Sequence, residues 1–259
     1  MTIRVPFVSE ESIERDANAL LTQFARDRHT EIRAPIPIED IVEKHLKLHV
    51  EFDDLHRLFG LTRGAEPDIF GAIWLETREI VIDESLDPEE YPSKEGRYRF
   101  TLSHEGGGHW RLHRPLFLGN RAEGSFLDHK RQPNIICRPS QSKERVEWQA
   151  DFYASCLLMP RKLVMQAWQD HFGNLRPFVS DWERSCRLSP GLLIGGEPVT
   201  ERNAHLLADS DFREIAKEFA HRFQVSVQAM RIRLEKLGLL LRAEPRQHSA
   251  DNCVQASLF

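Results

Sequence analysis

Two histidines held five residues apart by a glutamate and three consecutive glycines, His104-Glu105-Gly106-Gly107-Gly108-His109, constrain this chain more than any other feature. The surrounding run, RYRFTLS before and WRLH after, predicts a helix from about Glu95 to His113. Each glycine costs a helix interior roughly 1 kcal/mol relative to alanine, so something must offset three in a row. Two imidazoles on one helix, with a glutamate beside the first, form the donor pattern of a catalytic metal ion with its general base. In the usual pattern the histidines stand four apart. At about 100° per residue, positions four apart lie about 40° from each other on an α-helix, and positions five apart about 140°. His104 and His109 therefore converge on one ion only if a π-bulge absorbs the extra residue, a distortion that glycines make sterically easy.

A catalytic zinc takes three protein ligands and keeps one position open. Glu147 is the candidate third ligand, on a helix predicted over 143–159 that Pro160 ends. Asp151, four residues on and on the same face, is placed to accept the outer N–H of a liganding imidazole and fix its tautomer. Glu105 is the candidate catalytic residue, taking a proton from the nucleophilic water and returning it to the leaving amine. A rival grouping places Glu105, His109 and His113 at i, i+4 and i+8. His109 and His113 could form a metal pair, but Trp110 would stand where the base is needed. The plain alternative is a surface His-Glu pair. It leaves unexplained the second histidine, the E-x-x-A-D on an apolar helix and the three glycines. Tyr153 and His113 are near in sequence, but nothing assigns an oxyanion-stabilising group.

The rest of the chain supplies the setting. Ser9 followed by Glu10 and Glu11 predicts an N-cap, and Ile13, Ala17, Leu20, Leu21 and Phe24 recur at helical spacing over 10–28. A short helix follows Pro37 as far as His45. Strands are predicted at 48–52, 71–75 and 79–82, the last two as a hairpin. Residues 62–68, the Asp87-Pro88 to Tyr91-Pro92 segment and the long stretch 114–142 read as loops. A helix at 162–172 and a Gly/Pro-rich break at 190–200 come next. Strands grouped between helices imply an α+β fold with a small antiparallel sheet. A net charge of −5 excludes a chain that coats nucleic acid along its whole surface. No apolar run is long enough to span a bilayer, and the start MTIRVPFVSEES lacks the apolar core of a secretory signal. Cys137, Cys156, Cys186 and Cys253 are scattered, with no CxxC pair, which suits a cytoplasmic protein and neither a disulfide framework nor a cysteine zinc site.

At RYRFTLSHEGGGHWRLH and ERVEWQADFYASCLLMP the chain resembles the ImmA/IrrE family of metallopeptidases. PIPIEDIVEKHLKLHVEFDDL and FGAIWLETREIVIDESLDP resemble that family's N-terminal helix and hairpin, so the likeness spans about residues 10–165. It implies a zincin-like fold with zinc between two helices, His104, His109 and Glu147 as ligands and Glu105 as the catalytic glutamate. Asp151 falls where the family often has Asp or Asn. The family's motif is H-E-x-x-H, and this chain has one residue more. The resemblance also implies a protein substrate, such as a DNA-binding transcriptional repressor. A metal-poor pseudoprotease acting by binding is the alternative.

These features divide the chain into a metallopeptidase unit, 1–172, and a helical C-terminal region, 173–259. Within the latter, about 211–240 resembles a helix-turn-helix, with helices at 211–223 and 227–238 and Ser226 as N-cap of the second. Residues 211–246 carry eight Lys/Arg against five Asp/Glu, a weak basic footprint. DNA contact through Arg231 and Arg233 is the less favoured reading; a helical pair packed on the peptidase unit is preferred.

Overall fold

The computed structural model describes residues 5–63, 68–119, 135–137, 145–181, 186, 191–200 and 203–243. Helix α1 (Glu10–Arg28) has the predicted bounds. The Ser9 hydroxyl accepts the Ser12 N–H, and His29 closes the helix in the left-handed conformation. Its five predicted apolar residues, Ile13, Ala17, Leu20, Leu21 and Phe24, are all buried. The helix after Pro37 is present, but from Asp40 to His45 it runs in the π register.

Strands β1 (His49–Asp53), β2 (Gly71–Trp74), β3 (Glu79–Asp83) and β4 (Ile135–Cys137) form one sheet in the order β1-β3-β2-β4. The expected β2–β3 hairpin is there, but the sheet is mixed and not antiparallel throughout. β1 and β3 run parallel, with His49 opposite Glu79 and Asp53 opposite Asp83. The crossover after β1 contains helix α2 (Leu55–Leu58) and carries the chain past the neighbouring position in the sheet. The second arm of the hairpin then fills that position in the same direction as β1. β4 pairs antiparallel with the other edge of β2 and lies inside the stretch expected to be loop. Three residues are too few to show a period, and only the free edge of β2 makes them a strand.

Helix α3 (Glu95–Ser103) leads into a π-helical segment (His104–His113) and then α4 (Arg114–Gly119), again inside the expected loop. Helix α5 (Arg145–Leu158) packs across both α1 and the π segment. Helix α6 (Arg161–Phe172) ends at Gly173, whose φ of 71° suits glycine. The C-terminal region is not wholly helical. Strand β5 (Phe178–Ser180) pairs in parallel with β8 (Leu240–Arg242), and β6 (Leu193–Ile194) with β7 (Glu197–Pro198) makes a small hairpin through Gly195-Gly196. Helix α7 (Ala204–Phe223) starts seven residues earlier than expected, and α8 (Val227–Lys236) follows the expected turn, with Ser226 accepting the Ala229 N–H.

One apolar core runs from α1 through the sheet and α5 to Phe212, Phe223, Met230 and Leu234 of the C-terminal helices. Arg233 is 2% exposed; it donates to the Met159 carbonyl and pairs with Glu14 of α1. Arg231 pairs with Asp209 and Glu235. Both arginines named for phosphate contact are thus engaged within the chain. No helix of the described residues is long and apolar enough to cross a membrane.

Candidate metal centre

The spacing problem posed by HEGGGH is solved by a change of helical register. The chain is α-helical through Ser103 and π-helical over the ten residues His104–His113. In that register a backbone N–H bonds to the carbonyl five residues back, so residues five apart stack on one face. His104 and His109 accordingly turn the same way, with ring centroids 4.6 Å apart and their Nε2 atoms facing each other at 2.9 Å.

The three glycines answer to packing. None has a positive φ. A Cβ on Gly108 would lie 2.4 Å from the Ala150 Cβ and 2.5 Å from its Cα. One on Gly107 would lie 2.7 Å from the Tyr153 ring, and one on Gly106 2.7 Å from a Val42 methyl. Only bare backbone lets α5 come this close, and that approach brings Glu147 to the histidines.

The Glu147 carboxylate lies 3.2 Å from His104 Nε2 and 3.6 Å from His109 Nε2. One donor atom from each of the three residues falls within 4.8 Å of the others, and all three side chains are buried. The outer nitrogens are held as well. His104 Nδ1 donates to Asp151 at 2.9 Å, as expected for Asp151. His109 Nδ1 faces His113 Nδ1 at 3.1 Å, and His113 Nε2 faces the Gln149 carbonyl oxygen at 2.9 Å. His113 therefore stands behind His109 and belongs to neither three-residue donor group among the described residues.

Burial raises the Glu147 carboxyl, but the His104 and His109 rings more than reverse this and hold it at about 2. Burial pushes His109 down to about 4 against the pull of Glu147. At neutral pH the cluster therefore presents an anionic carboxylate and a neutral imidazole, the protonation states a metal requires. Among the described residues Glu147 has no lysine or arginine partner. This donor set, two imidazole nitrogens and one carboxylate, could hold a metal ion.

Glu105 is fully buried against β2. A Cβ on Gly71 would come within 2.8 Å of its Oε1, so the glycine makes room for the carboxyl. Among the described residues neither Glu105 oxygen has a hydrogen-bond partner. Burial pushes its pKa up to about 8; the His104 charge opposes this, and Glu147 and Asp151 add to it. A carboxyl held near neutrality without a partner is costly in a merely structural role. Tyr153 donates to Asp16 at 2.8 Å.

Sequence reasoning missed three participants: Gly71, Gln149 and the Pro6 carbonyl, which accepts from Gln149 Nε2 at 2.9 Å. None belongs to a local motif, and only the i,i+4 spacing of His109 and His113 hinted at a chain of contacts. It also missed a second group, Asp54, His56 and Asp83, whose donor atoms lie equally close together. No protein-family model matches the chain, and no curated protein matches it.

Proposed function

We propose that the chain is a zinc-dependent endopeptidase of zincin-like fold, with His104, His109 and Glu147 holding the metal and Glu105 as general base. The observation that carries this reading is the buried Glu105 carboxyl, without a hydrogen-bond partner among the described residues, beside a three-residue donor set. Zinc bound there would supply an acidified water and polarise the scissile carbonyl. Glu105 in its ionised form would accept a proton at Oε1 or Oε2 and return it to the departing amine, and the burial that raises its pKa to about 8 in the metal-free chain makes that form a stronger base. Asp151 accepts the His104 Nδ1–H, which turns the His104 Nε2 toward the metal position. The likeness to ImmA/IrrE peptidases supports a protein substrate such as a DNA-binding repressor, and a cytoplasmic setting suits the unpaired Cys156 and Cys186.

The experiment is elemental analysis of the full chain together with digestion of a proteome-derived peptide library. Near one equivalent of zinc and new peptide termini are expected. Glu105→Gln should keep the zinc and lose the cleavage. Absence of zinc, or cleavage that survives Glu105→Gln, would overturn the assignment. A metal-poor binding protein is favoured by one observation: His104, Glu105, His109 and Glu147 are each at most 4% exposed. That reading predicts no bound zinc and no cleavage.

A further inference from the structure

We infer that the groove between α3, α5 and α8 is the docking surface for an acidic segment of a protein partner that carries large apolar side chains. On the peptidase reading above, on which this inference rests, that partner is the substrate.

The groove encloses about 560 Å³, and its walls are fixed to each other. A Cβ on Gly96 would lie 2.8 Å from the Ser226 nitrogen and 2.9 Å from the Val225 carbonyl carbon. Only glycine therefore lets the start of α3 rest against the turn between α7 and α8. Buried Arg233 ties α8 to Glu14 of α1 and to the Met159 carbonyl. A partner thus meets a preformed surface, which limits the ordering cost of binding.

The lining is apolar and partly open to water. Phe100 comes from α3, Trp148 and Phe152 from α5, and Ala229 and Ile232 from α8. The Trp148 and Phe152 rings stack, with centroids 5.7 Å apart and planes 10° apart. Gln228, Ile232 and Lys236 stand at i, i+4 and i+8, so one face of α8 is turned to the groove, with Ile232 at its middle and 50% exposed. Apolar side chains of a bound segment would cover this surface in the manner of a peptide laid in a hydrophobic groove.

The rim sets the charge of the occupant. Arg97 is exposed, lies 4.8 Å over the Phe70 ring and has no acidic partner among the described residues. Lys236 stands ten residues after Ser226, about 15 Å further along α8, and its one ion pair among the described residues is an exposed contact with Glu10. Asp151, the acid in the wall, is turned to His104 Nδ1. The charges left facing a ligand are therefore basic and favour acidic residues. Aromatic rings and an isoleucine between the cations suit a peptide better than a phosphate backbone. Asp151 also makes the groove adjoin the candidate metal centre. At about 3.3 Å per residue, an extended chain leaving the groove passes His104 within a few residues.

The test separates docking from cleavage. A displayed library of random short peptides is panned on the full-length Glu105→Gln chain. Peptides rich in large apolar residues and Asp or Glu should be enriched. Ile232→Glu in the same background should weaken the enriched peptides by roughly 10-fold. Arg97→Glu should weaken them by roughly 3-fold, less so in high salt, and Arg97→Lys should retain them. Both side chains are exposed, so these variants keep the fold. For a protein substrate found by digestion, Ile232→Glu in the otherwise wild-type chain should raise KM by roughly 10-fold and leave kcat unchanged. Enriched peptides that are basic or lack large apolar residues would overturn the inference, as would peptides that bind Ile232→Glu undiminished. Self-association abolished by Ile232→Glu would overturn it in favour of a second copy, and duplex DNA retarded by the chain but not by Arg97→Glu in favour of nucleic acid. Cleavage with an unchanged KM in Ile232→Glu would sink the groove alone. A chain that holds no zinc and cuts nothing would sink the proposed function, and peptide capture would still decide the groove.

Discussion

The described residues hold two groups of histidine and carboxylate whose donor atoms lie equally close, and they differ in charge balance and in how the rings are held. In the Asp54–His56–Asp83 group the positive charge is already present. The Arg63 guanidinium lies 3.0 Å from Asp54 and 3.3 Å from Asp83. Asp83 also accepts the Leu55 and Ser85 N–H groups, and Asp54 caps α2 through the Arg57 N–H. Among the described residues neither ring nitrogen of the buried His56 is hydrogen-bonded, and its Nδ1 lies 3.6 Å from Asp83. In the His104–His109–Glu147 group the outer nitrogen of each imidazole is held, and among the described residues the rings are the charge partners of Glu147. Close donors alone do not make a metal site. Oriented imidazoles and an unmatched negative charge are what set the first group apart.

The largest effect expected from this contrast is on metal content. His104→Ala or Glu147→Ala should abolish the bound zinc, while His56→Gln should leave one equivalent in place. Elemental analysis of the three purified variants decides it. Two equivalents in the wild-type chain, or loss of metal in His56→Gln, would mean that the contrast between the groups has been misread.

Next in size are the glycines that bring α5 to the first group. Gly108→Ala sets a methyl against Ala150 backbone that cannot yield, at a cost of about 3 kcal/mol, the upper end for overpacking. Gly106→Ala meets only the end of the Val42 side chain and should cost about 1 kcal/mol. Denaturant unfolding of the zinc-free variants measures both, and equal losses would refute a packing role specific to α5. Deleting Gly107 restores the four-residue spacing but shifts His109 out of the π register. Zinc affinity should fall; a rise would show that the longer spacing is a defect.

The local parts of this arrangement were legible in the sequence, and the parts set by tertiary contact were not. Helix α1 announced itself through Ser9 and its apolar stripe, and the Gln224–Ser226 turn through its N-cap. Simple angular arithmetic required a π distortion between His104 and His109, and the structure has one. Its full ten-residue length depends on what α5 and Val42 press against, which no local pattern encodes. The parallel β1–β3 pairing and strand β4 likewise depend on which sheet edge is free. Asp54 and Asp83 are 29 positions apart, and they meet because Asp53 and Asp83 share a register across that parallel pair.

Removing the resident cation should move the second group toward the first. Arg63→Met leaves Asp54 and Asp83 facing each other uncompensated. Because Arg63 is 43% exposed, the loss should be modest, about 1–2 kcal/mol, well short of the 3–5 kcal/mol typical of a fully buried pair. Added Zn²⁺ should then raise the melting temperature of Arg63→Met in the His104→Ala background, where the first group is disabled, and leave that of His104→Ala alone unchanged. Equal responses in the two proteins would show that Arg63 is not what keeps a cation out.

The smallest effect concerns another carboxylate already matched by arginine, Glu14. Burial pushes the Glu14 carboxyl up, but the Arg233 charge, with bonds from Arg233 and Arg161, more than reverses this and leaves its pKa below the ordinary 4.5. A depressed folded-state pKa means that the pair's contribution is present in full above about 4.5 and is lost as pH falls through the folded value. Protonation at low pH leaves the Arg233 guanidinium 2% exposed and without its anion. The loss should be about 1 kcal/mol, since Arg233 keeps its bond to the Met159 carbonyl. Chemical unfolding of wild-type and Glu14→Gln chains at pH 7 and again well below pH 4 isolates the effect. The stability gap between them should narrow in acid. A gap that stays constant would mean that Glu14 holds the C-terminal helices by packing alone, and that its charge does nothing for the fold.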